Sequence, residues 1–527
     1  MRHGGDDREG WLTMVRFFKY VALVFALLAS QAQSAGLISA SQQAHPFGVN
    51  LSGAEFAPWT GQTFPSTANW NDLQAKGIGI VRLPIAWESL QPTLGSALNS
   101  TYLGSITTAL SAAASRGIKV IVDLHNFGSY CDQAHWVSSG CGYAGNAGTA
   151  GTGVSFLGSA GLTQANFVDV WTRLATALAG NPGLAGYDLM NEPSIGIAGT
   201  NLLFAPNGFA DSIGSQPWII TNGAVLAQEA AGTNSVAGYG PAWSMSSGSG
   251  FGGIFQSITL AAVPYSLSFS ARQKNGTTTV SASIGGSTSG SKTLTASWQI
   301  FCLANVTPSA GSTSISFGLD TATIGVTVEI DNFQLEQSAT CSTYQPNPLI
   351  PFYQAAINGI RTVDTVSTIY VEGMAESQAY QFPWVNWELA TLTGGPFAFE
   401  AHQYFDGSLS QGGGGGVYSG TFTSYGIDVT AGAQMVAPFV NWTITTGVKG
   451  YLGEFAVTSA CCVVSPTDNN AAWLPLENNF LAYLWQNRIP ATMWFYGSNG
   501  IQSGNNLNMA PVAGVDDQRL VQMLAIP

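Results

Sequence analysis

Leu184-Ala-Gly-Tyr-Asp-Leu-Met-Asn-Glu-Pro193 is an apolar run of strand length that ends on an amide and a carboxylate. Seven further runs of this kind are spread along the chain: Phe47 to Leu51, Ile78 to Leu83, Val120 to Leu124, Thr368 to Gly373, Phe397 to His402, Gly450 to Phe455 and Ala491 to Phe495. All are rich in Val, Ile and Leu, as strands buried on both faces of a parallel sheet must be. Each is followed by a segment that can be helical. The clearest is Thr163 to Ala179, where Thr163 can cap the start and Phe167, Val170, Trp171, Leu174 and Leu178 recur at spacings of three and four. Eight strand–helix units predict an α/β fold, a (β/α)8 TIM barrel.

One interval breaks the rhythm. After Pro193 the texture changes to Ser, Thr and Gly with alternating apolar residues, as in Tyr265-Ser-Leu-Ser-Phe-Ser-Ala271, Ser314-Ile-Ser-Phe-Gly-Leu319 and Val326-Thr-Val-Glu-Ile330. That alternation is the pattern of sandwich strands, and a structureless loop of this length inside a compact domain is improbable. The expected organisation is a leader at 1–35, a barrel made of 36–204 and 346–527, and an all-β sandwich at 205–345 inserted after the fourth strand.

Reactive groups of such barrels sit at the C-terminal ends of the strands, so the residues there are the candidates. Strand two contains Arg82, strand three runs into His125-Asn126, strand four ends Asn191-Glu192, strand six ends His402-Gln-Tyr404, strand seven ends at Glu454, and strand eight holds Trp494. Only 9% of the residues are charged, which makes two carboxylates and an arginine at these positions informative. Two carboxylates facing one another across a barrel mouth suit glycosidic bond cleavage: one protonates the leaving oxygen, the other attacks the anomeric carbon. Asn191 can bond a hydroxyl beside that carbon, Arg82 and Tyr404 can hold the nucleophile ionised, His125 and His402 can line the cleaving subsite, and Trp494 offers a flat face to a pyranose.

These motifs resemble those of glycoside hydrolase family 5, the endoglucanase family of retaining barrel enzymes. Gly48-Val-Asn-Leu-Ser-Gly-Ala-Glu55, Val81-Arg-Leu-Pro-Ile85, Val122-Asp-Leu-His-Asn126, Leu189-Met-Asn-Glu-Pro193, His402-Gln-Tyr404, Leu452-Gly-Glu454 and Met493-Trp494 follow its pattern in order, over roughly residues 37 to 200 and 346 to 527. The resemblance implies Glu192 as acid/base, Glu454 as nucleophile, and Arg82, His125, Asn126, Asn191, His402, Tyr404 and Trp494 as the wall of the substrate site. It also implies a β-glucan substrate, with endo-β-1,4-glucanase the first expectation and mannan, xyloglucan or xylan the alternatives. The insert departs from the family pattern and resembles a jelly-roll carbohydrate-binding module, in segments such as Ile254-Phe-Gln-Ser-Ile258 and Glu329-Ile-Asp-Asn-Phe-Gln-Leu-Glu336.

Plainer readings stand beside these. A carboxylate can be a structural partner of Arg, a histidine a satisfied core residue, and Trp494 ordinary packing. The same holds for Trp87, Glu88, Trp136, Trp384 and Trp387 in the rim loops and for Trp218, Trp243 and Trp298 in the insert. Asp123 reads as a buried network residue, and Gly412 to Gly416 as a flexible loop without a phosphate-cradling context. The alternative function is a non-catalytic carbohydrate-binding protein with a decayed site.

Composition bounds the rest. The chain has 527 residues, 46% of them hydrophobic, with 63 glycines, so a large core with many tight turns is expected. With 29 acidic against 16 basic residues the net charge is −13, which argues against a nucleic-acid partner. Two cations within Met14-Val-Arg-Phe-Phe-Lys19, the apolar run from Tyr20 to Ala29 and small residues near Ala32 read as a secretory signal, with Met14 as an alternative start. The run is half the length of a bilayer span, so a secreted monomer, extracellular or periplasmic, without membrane attachment after cleavage is expected; an uncleaved anchor is the alternative. Six cysteines in an exported chain suggest disulfides, with Cys131–Cys141 and Cys302–Cys341 as candidate pairs and Cys461 and Cys462 open. No cofactor and no metal is called for, because no Cys/His cluster has ligand spacing.

Overall fold

The computed structural model describes residues 46–55, 62–132, 153–193, 201–203, 218–229, 233, 242–248, 251–320, 324–344, 347–409, 412–462, 470–498 and 505–526. The proposed leader, Trp136 and Cys141 lie outside them.

Eight parallel strands close into a barrel in chain order. Numbered along the chain they are β1 (Phe47–Ser52), β2 (Ile80–Ile85), β3 (Lys119–Leu124), β4 (Leu184–Asp188), β5 (Thr368–Glu372), β6 (Phe397–Tyr404), β7 (Gly450–Ala456) and β8 (Ala491–Gly497). β8 returns to β1 through Phe47↔Ala491 and Gly48↔Thr492. A Cβ on Gly48 would lie 2.0 Å from the Ile80 carbonyl oxygen, so only glycine lets the first two strands approach this closely. The architecture is the (β/α)8 TIM barrel expected from the apolar runs.

Local signals fix the helices as well. The helix Gln164–Leu178 starts where Thr163 accepts the Asn166 N–H and Asn166 in return accepts the Thr163 N–H, a capping box. It stops before Gly180, whose φ of 76° is left-handed. Phe167, Val170, Trp171, Leu174 and Leu178 are buried, and Trp171 Nε1 donates to the Leu189 carbonyl just past β4. Deleting Phe167 to alanine would cost about 3–5 kcal/mol. After β5 the expected helix is reduced to Phe382–Val385 and a 3-10 turn, Trp387–Thr391. There Asn386 takes the Met374 N–H at 2.7 Å and donates to the Met374 carbonyl at 3.0 Å, which folds the chain back before a longer helix can form.

Between β4 and the helix Ile350–Arg361 lie two antiparallel sheets. One is built on Thr279–Ile284, Gly311–Leu319 and Gly253–Leu260, the other on Gln299–Val306, Tyr265–Asn275 and Thr327–Glu336. They face each other through Phe317 on the first and Phe269 and Phe333 on the second, with ring centroids 5.1 and 5.3 Å apart. This core is separate from that of the barrel. Trp218 and Trp243 are buried in it, whereas Trp298 is half-buried under the Arg272 guanidinium, 4.7 Å from its ring. A disulfide joins Cys302 to Cys341. Closing a loop of 39 residues stabilises by about 3–4 kcal/mol through the unfolded chain. Cys131 and Cys461 are also disulfide-bonded.

Candidate active site

Parallel register brings the polar residues of the barrel to one level. Asn50 pairs with Arg82, Asp123 with Asp188, Glu372 with Glu400, and His402 with Glu454. Alternation along each strand then points these side chains into the barrel, where they are buried from bulk solvent and depend on one another for partners.

Arg82 is the hub. It is fully buried; Nη1 donates to Glu454 Oε1 at 2.8 Å and to Asn50 Oδ1 at 3.1 Å, and Nη2 to Asn191 Oδ1 at 2.9 Å and to Glu372 Oε1 at 2.8 Å. Asp123, Asp188 and Glu400 also lie within 3.1 Å of it. Five buried carboxylates around one guanidinium would repel one another strongly without the histidines above. His402 Nδ1 stands 2.8 Å from Glu192 Oε1, and His125 Nδ1 2.7 Å from Asp123 Oδ2.

Glu192 and Glu454 meet at the barrel mouth. One oxygen of each and a ring nitrogen of His402 lie within 4.8 Å of one another. The Glu192 side chain is 18% exposed, whereas that of Glu454 is buried at 5% among the polar groups of Arg82, Tyr404 and His402. The Tyr404 hydroxyl donates to Glu454 Oε2 at 2.7 Å. Their environments push the two acids apart. Desolvation, helped by the charges of Glu454 and Glu372 and opposed by His402, raises Glu192 to about 7. For Glu454 desolvation is outweighed by His402, Arg82 and His125 and by the Tyr404 bond, and its pKa is lowered. Burial and the Glu454 charge raise Tyr404 well above a normal phenol, so it remains a donor. His402 and His125 are both raised, because the carboxylates around them overcome desolvation.

The remaining expected residues take distinct places. Asn191 Nδ2 is buried with no hydrogen-bond partner, a donor left over after Oδ1 accepts from Arg82. Trp494 is half-buried and stacks parallel to His125 at 5.2 Å, and its peptide bond to Phe495 is cis. Asn126 stands apart: its oxygen accepts the Trp87 N–H and its amide donates to Glu88 Oε2 and the Ser129 carbonyl, so it braces the loops beyond β2 and β3. Trp87 and Glu88 are buried in that brace rather than open to a cleft. The Gly412–Gly416 run is wrapped on the end of β6, where Asp406 accepts the N–H groups of Gly416, Val417 and Tyr418.

Sequence reasoning missed Asn50, Asp188, Glu372 and Glu400. Glu372 was findable by the strand-end rule that found Glu454; Glu400 lies within β6, and Asp188, the last residue of β4, sits inside the longer apolar run read from the sequence, so for both a carboxylate in an apolar run was the available signal. Gly453 shows how tightly Glu400 is held, since a Cβ there would lie 1.5 Å from Glu400 Oε1.

Among the described residues, three groups bring possible metal-binding atoms within 4.8 Å of one another: Glu192–His402–Glu454, Glu372–Glu400–His402 and Asp123–Asp188–Glu372. Arg82 already contacts every carboxylate of the last two, so the positive charge a cation would bring is in place. The first is the pair at the mouth.

Comparison with known proteins bears on the family and the fold. The family model for cellulase, glycosyl hydrolase family 5, matches residues 40–213 and 333–500. A manganese-dependent endoglucanase Eg5A of Phanerodontia chrysosporium is 29% identical over 154 residues, 28% of this chain and 34% of its own length. An endo-β-1,4-glucanase B of Emericella nidulans is 32% identical over 119 residues, 21% of this chain and 36% of its own. The chain therefore spans about a third of the curated relatives it matches. Among solved structures, an endo-β-1,4-glucanase of Xanthomonas axonopodis pv. citri shares the fold with a TM-score of 0.51 at 19% identity, covering 91% of this chain and 96% of that one. With the family model matched over more than half of its length, the chain belongs to the cellulase family, glycosyl hydrolase family 5.

Proposed function

We propose that this chain is a secreted retaining glycoside hydrolase that cuts internal β-1,4 linkages of a glucan, with Glu192 as acid/base and Glu454 as nucleophile. The observation that carries the reading is the split between two adjacent carboxylates, one raised to about 7 and the other lowered. Between pH 4.5 and 7 the first holds a proton while the second is ionised. Glu454 attacks the anomeric carbon as Glu192 gives its proton to the departing oxygen, leaving a covalent glycosyl ester. Glu192, now a carboxylate, takes a proton from water, whose oxygen displaces Glu454 and restores both groups. Oxygens within 4.8 Å fit the close spacing of retaining enzymes, where carboxyl groups lie about 5–5.5 Å apart against 6.5–9.5 Å in inverting ones. The free Asn191 amide would bond the hydroxyl next to the reacting carbon, and Trp494 would take the apolar face of the sugar.

A panel of soluble β-glucan, mannan, xyloglucan and xylan with product sizing tests activity, linkage and cutting mode together. Rapid loss of chain length on β-1,4-glucan is expected. Release of reducing sugar from none of the four would leave the carbohydrate-binding alternative.

For the two-sheet insert the reading is a glycan-binding module. The family match lapses between residues 213 and 333, the span that holds both sheets except the end of the strand Thr327–Glu336. On the outer face of the Gly253–Leu260 sheet is a groove of about 580 Å3, lined by Phe251, Phe255 and the hydroxyls of Ser281, Ser283, Ser314 and Ser316. Among the described residues its one charged lining residue is Asp320, whose carboxylate accepts the Thr279 and Ser281 hydroxyls. Aromatic rings and hydroxyls suit a neutral polyol. Removing residues 205–345 should abolish retention on insoluble glucan, and unchanged retention would make the insert purely structural. Secretion rests on the signal-like N-terminal segment; among the described residues no helix is long and apolar enough to cross a membrane.

A further inference from the structure

Glu372 closes β5 and is fully buried, and its two oxygens are divided between the reacting groups. Oε2 accepts the backbone N–H of Glu192 at 2.7 Å. Oε1 accepts Arg82 Nη2 at 2.8 Å and lies 3.3 Å from His402 Nε2. Arg82 in turn holds the Glu454 carboxylate, and His402 the Glu192 carboxylate. One side chain therefore touches the main chain of the first acid and both cations that orient the pair.

The contact to Glu192 replaces a missing part of the sheet. The ladder still binds Leu189 to Tyr370 and Asn191 to Leu124, but the next N–H is aimed at a side chain instead of a strand. At that residue φ is 39°, a left-handed conformation that a non-glycine residue keeps only when its surroundings enforce it. A fully buried carboxyl oxygen accepting that N–H at 2.7 Å supplies the constraint.

Resting on the hydrolase reading above, we propose that Glu372 is a positioning residue that fixes the geometry of Glu192 and Glu454 as a unit. Its requirements are strict. Glutamine is isosteric but has one acceptor oxygen and an NH2 donor, which would face either the Glu192 N–H or Arg82, donor against donor. Aspartate keeps the charge but is one methylene too short to span both partners.

The test compares full-length wild type, Glu372→Gln and Glu372→Asp on soluble β-1,4-glucan, with the active fraction counted by labelling with a dinitrophenyl 2-deoxy-2-fluoro-cellobioside. At matched melting temperature and near-constant KM, each variant should lose kcat about 10- to 100-fold per folded molecule, the cost of one charge-assisted hydrogen bond at the reacting pair. The alkaline limb of its pH profile should also move. A purely structural role would lower the melting temperature and leave both rate and limb unchanged. If Glu372→Gln does not fold, Glu372→Asp decides: wild-type kcat with an unmoved limb overturns the proposal. Failure of the hydrolase reading is separate, because wild type itself would then neither cut glucan nor take the label.

Discussion

Arg82 Nη1 donates to Glu454 Oε1 at 2.8 Å inside a ring of four further carboxylates. A lone guanidinium among Asp123, Asp188, Glu372, Glu400 and Glu454 cannot neutralise them all, so protons must be shared across the cluster. Glu400 and Asp188 carry part of that load: desolvation and neighbouring acids raise Asp188 well above a normal carboxyl, and burial raises Glu400 to about 7. Glu454 stays ionised because Arg82, Tyr404 and the histidines face it directly.

Replacing Tyr404 by phenylalanine removes one hydrogen bond to Glu454 with little change in volume. A bond to a charged group is worth about 1.5–3 kcal/mol, so kcat should fall about 10- to 100-fold. The acid limb of the pH profile should move upward, as Glu454 loses a contact that favours its anion. Steady-state kinetics across pH checks both.

Glu192→Ala should cost about 10²–10⁴-fold on polymeric glucan, the usual worth of a general acid. A dinitrophenyl cellobioside, whose leaving group departs without a proton, should suffer far less in the first step. Equal losses on both substrates would remove Glu192 from the acid role.

The pH profile of wild type follows from the same pair. kcat/KM on glucan should rise as Glu454 ionises below 4.5 and fall as Glu192 loses its proton at about 7. With the dinitrophenyl substrate the alkaline limb should weaken, since no proton is needed for departure.

Stability should decline on the alkaline side. Glu192, Glu400, Asp188, His125 and His402 all have raised folded-state values. A raised group contributes stability in full below its unfolded pKa and loses it as pH climbs through the folded one. That window runs from 4.5 to about 7 for Glu192 and Glu400, and upward from 6.5 for the histidines. Each unit of such a shift is worth about 1.4 kcal/mol. Glu454, lowered, acts oppositely and below 4.5. The melting temperature should therefore be higher near pH 5 than near pH 8; the reverse order, measured by calorimetry, would contradict this balance.

The barrel was legible because parallel strands buried on both faces must be apolar, and each observed strand lies within two residues of an apolar run. The residues at the mouth were legible because charge is scarce in this chain. Glu400 was not, since its role comes from register, opposite Glu372 and against Gly453, which no single-strand pattern reveals; Glu372 ends its strand and was open to the same rule that found Glu454. Asn126 follows His125 in sequence, but its amide turns toward Glu88 and Ser129, contacts the sequence does not display. The short helix after β5 was hidden because Asn386, far along the chain from Met374, returns to satisfy that backbone.

Incubating full-length protein with the dinitrophenyl 2-deoxy-2-fluoro-cellobioside and sequencing its peptides by mass spectrometry tests the proposed chemistry most directly. The fluorine slows both steps, while the activated leaving group lets the first proceed, so the ester accumulates. One fluorocellobiosyl group is expected, on the peptide containing Glu454, with none on Glu454→Gln. An unlabelled wild type, or a label carried by another residue, would contradict the assignment.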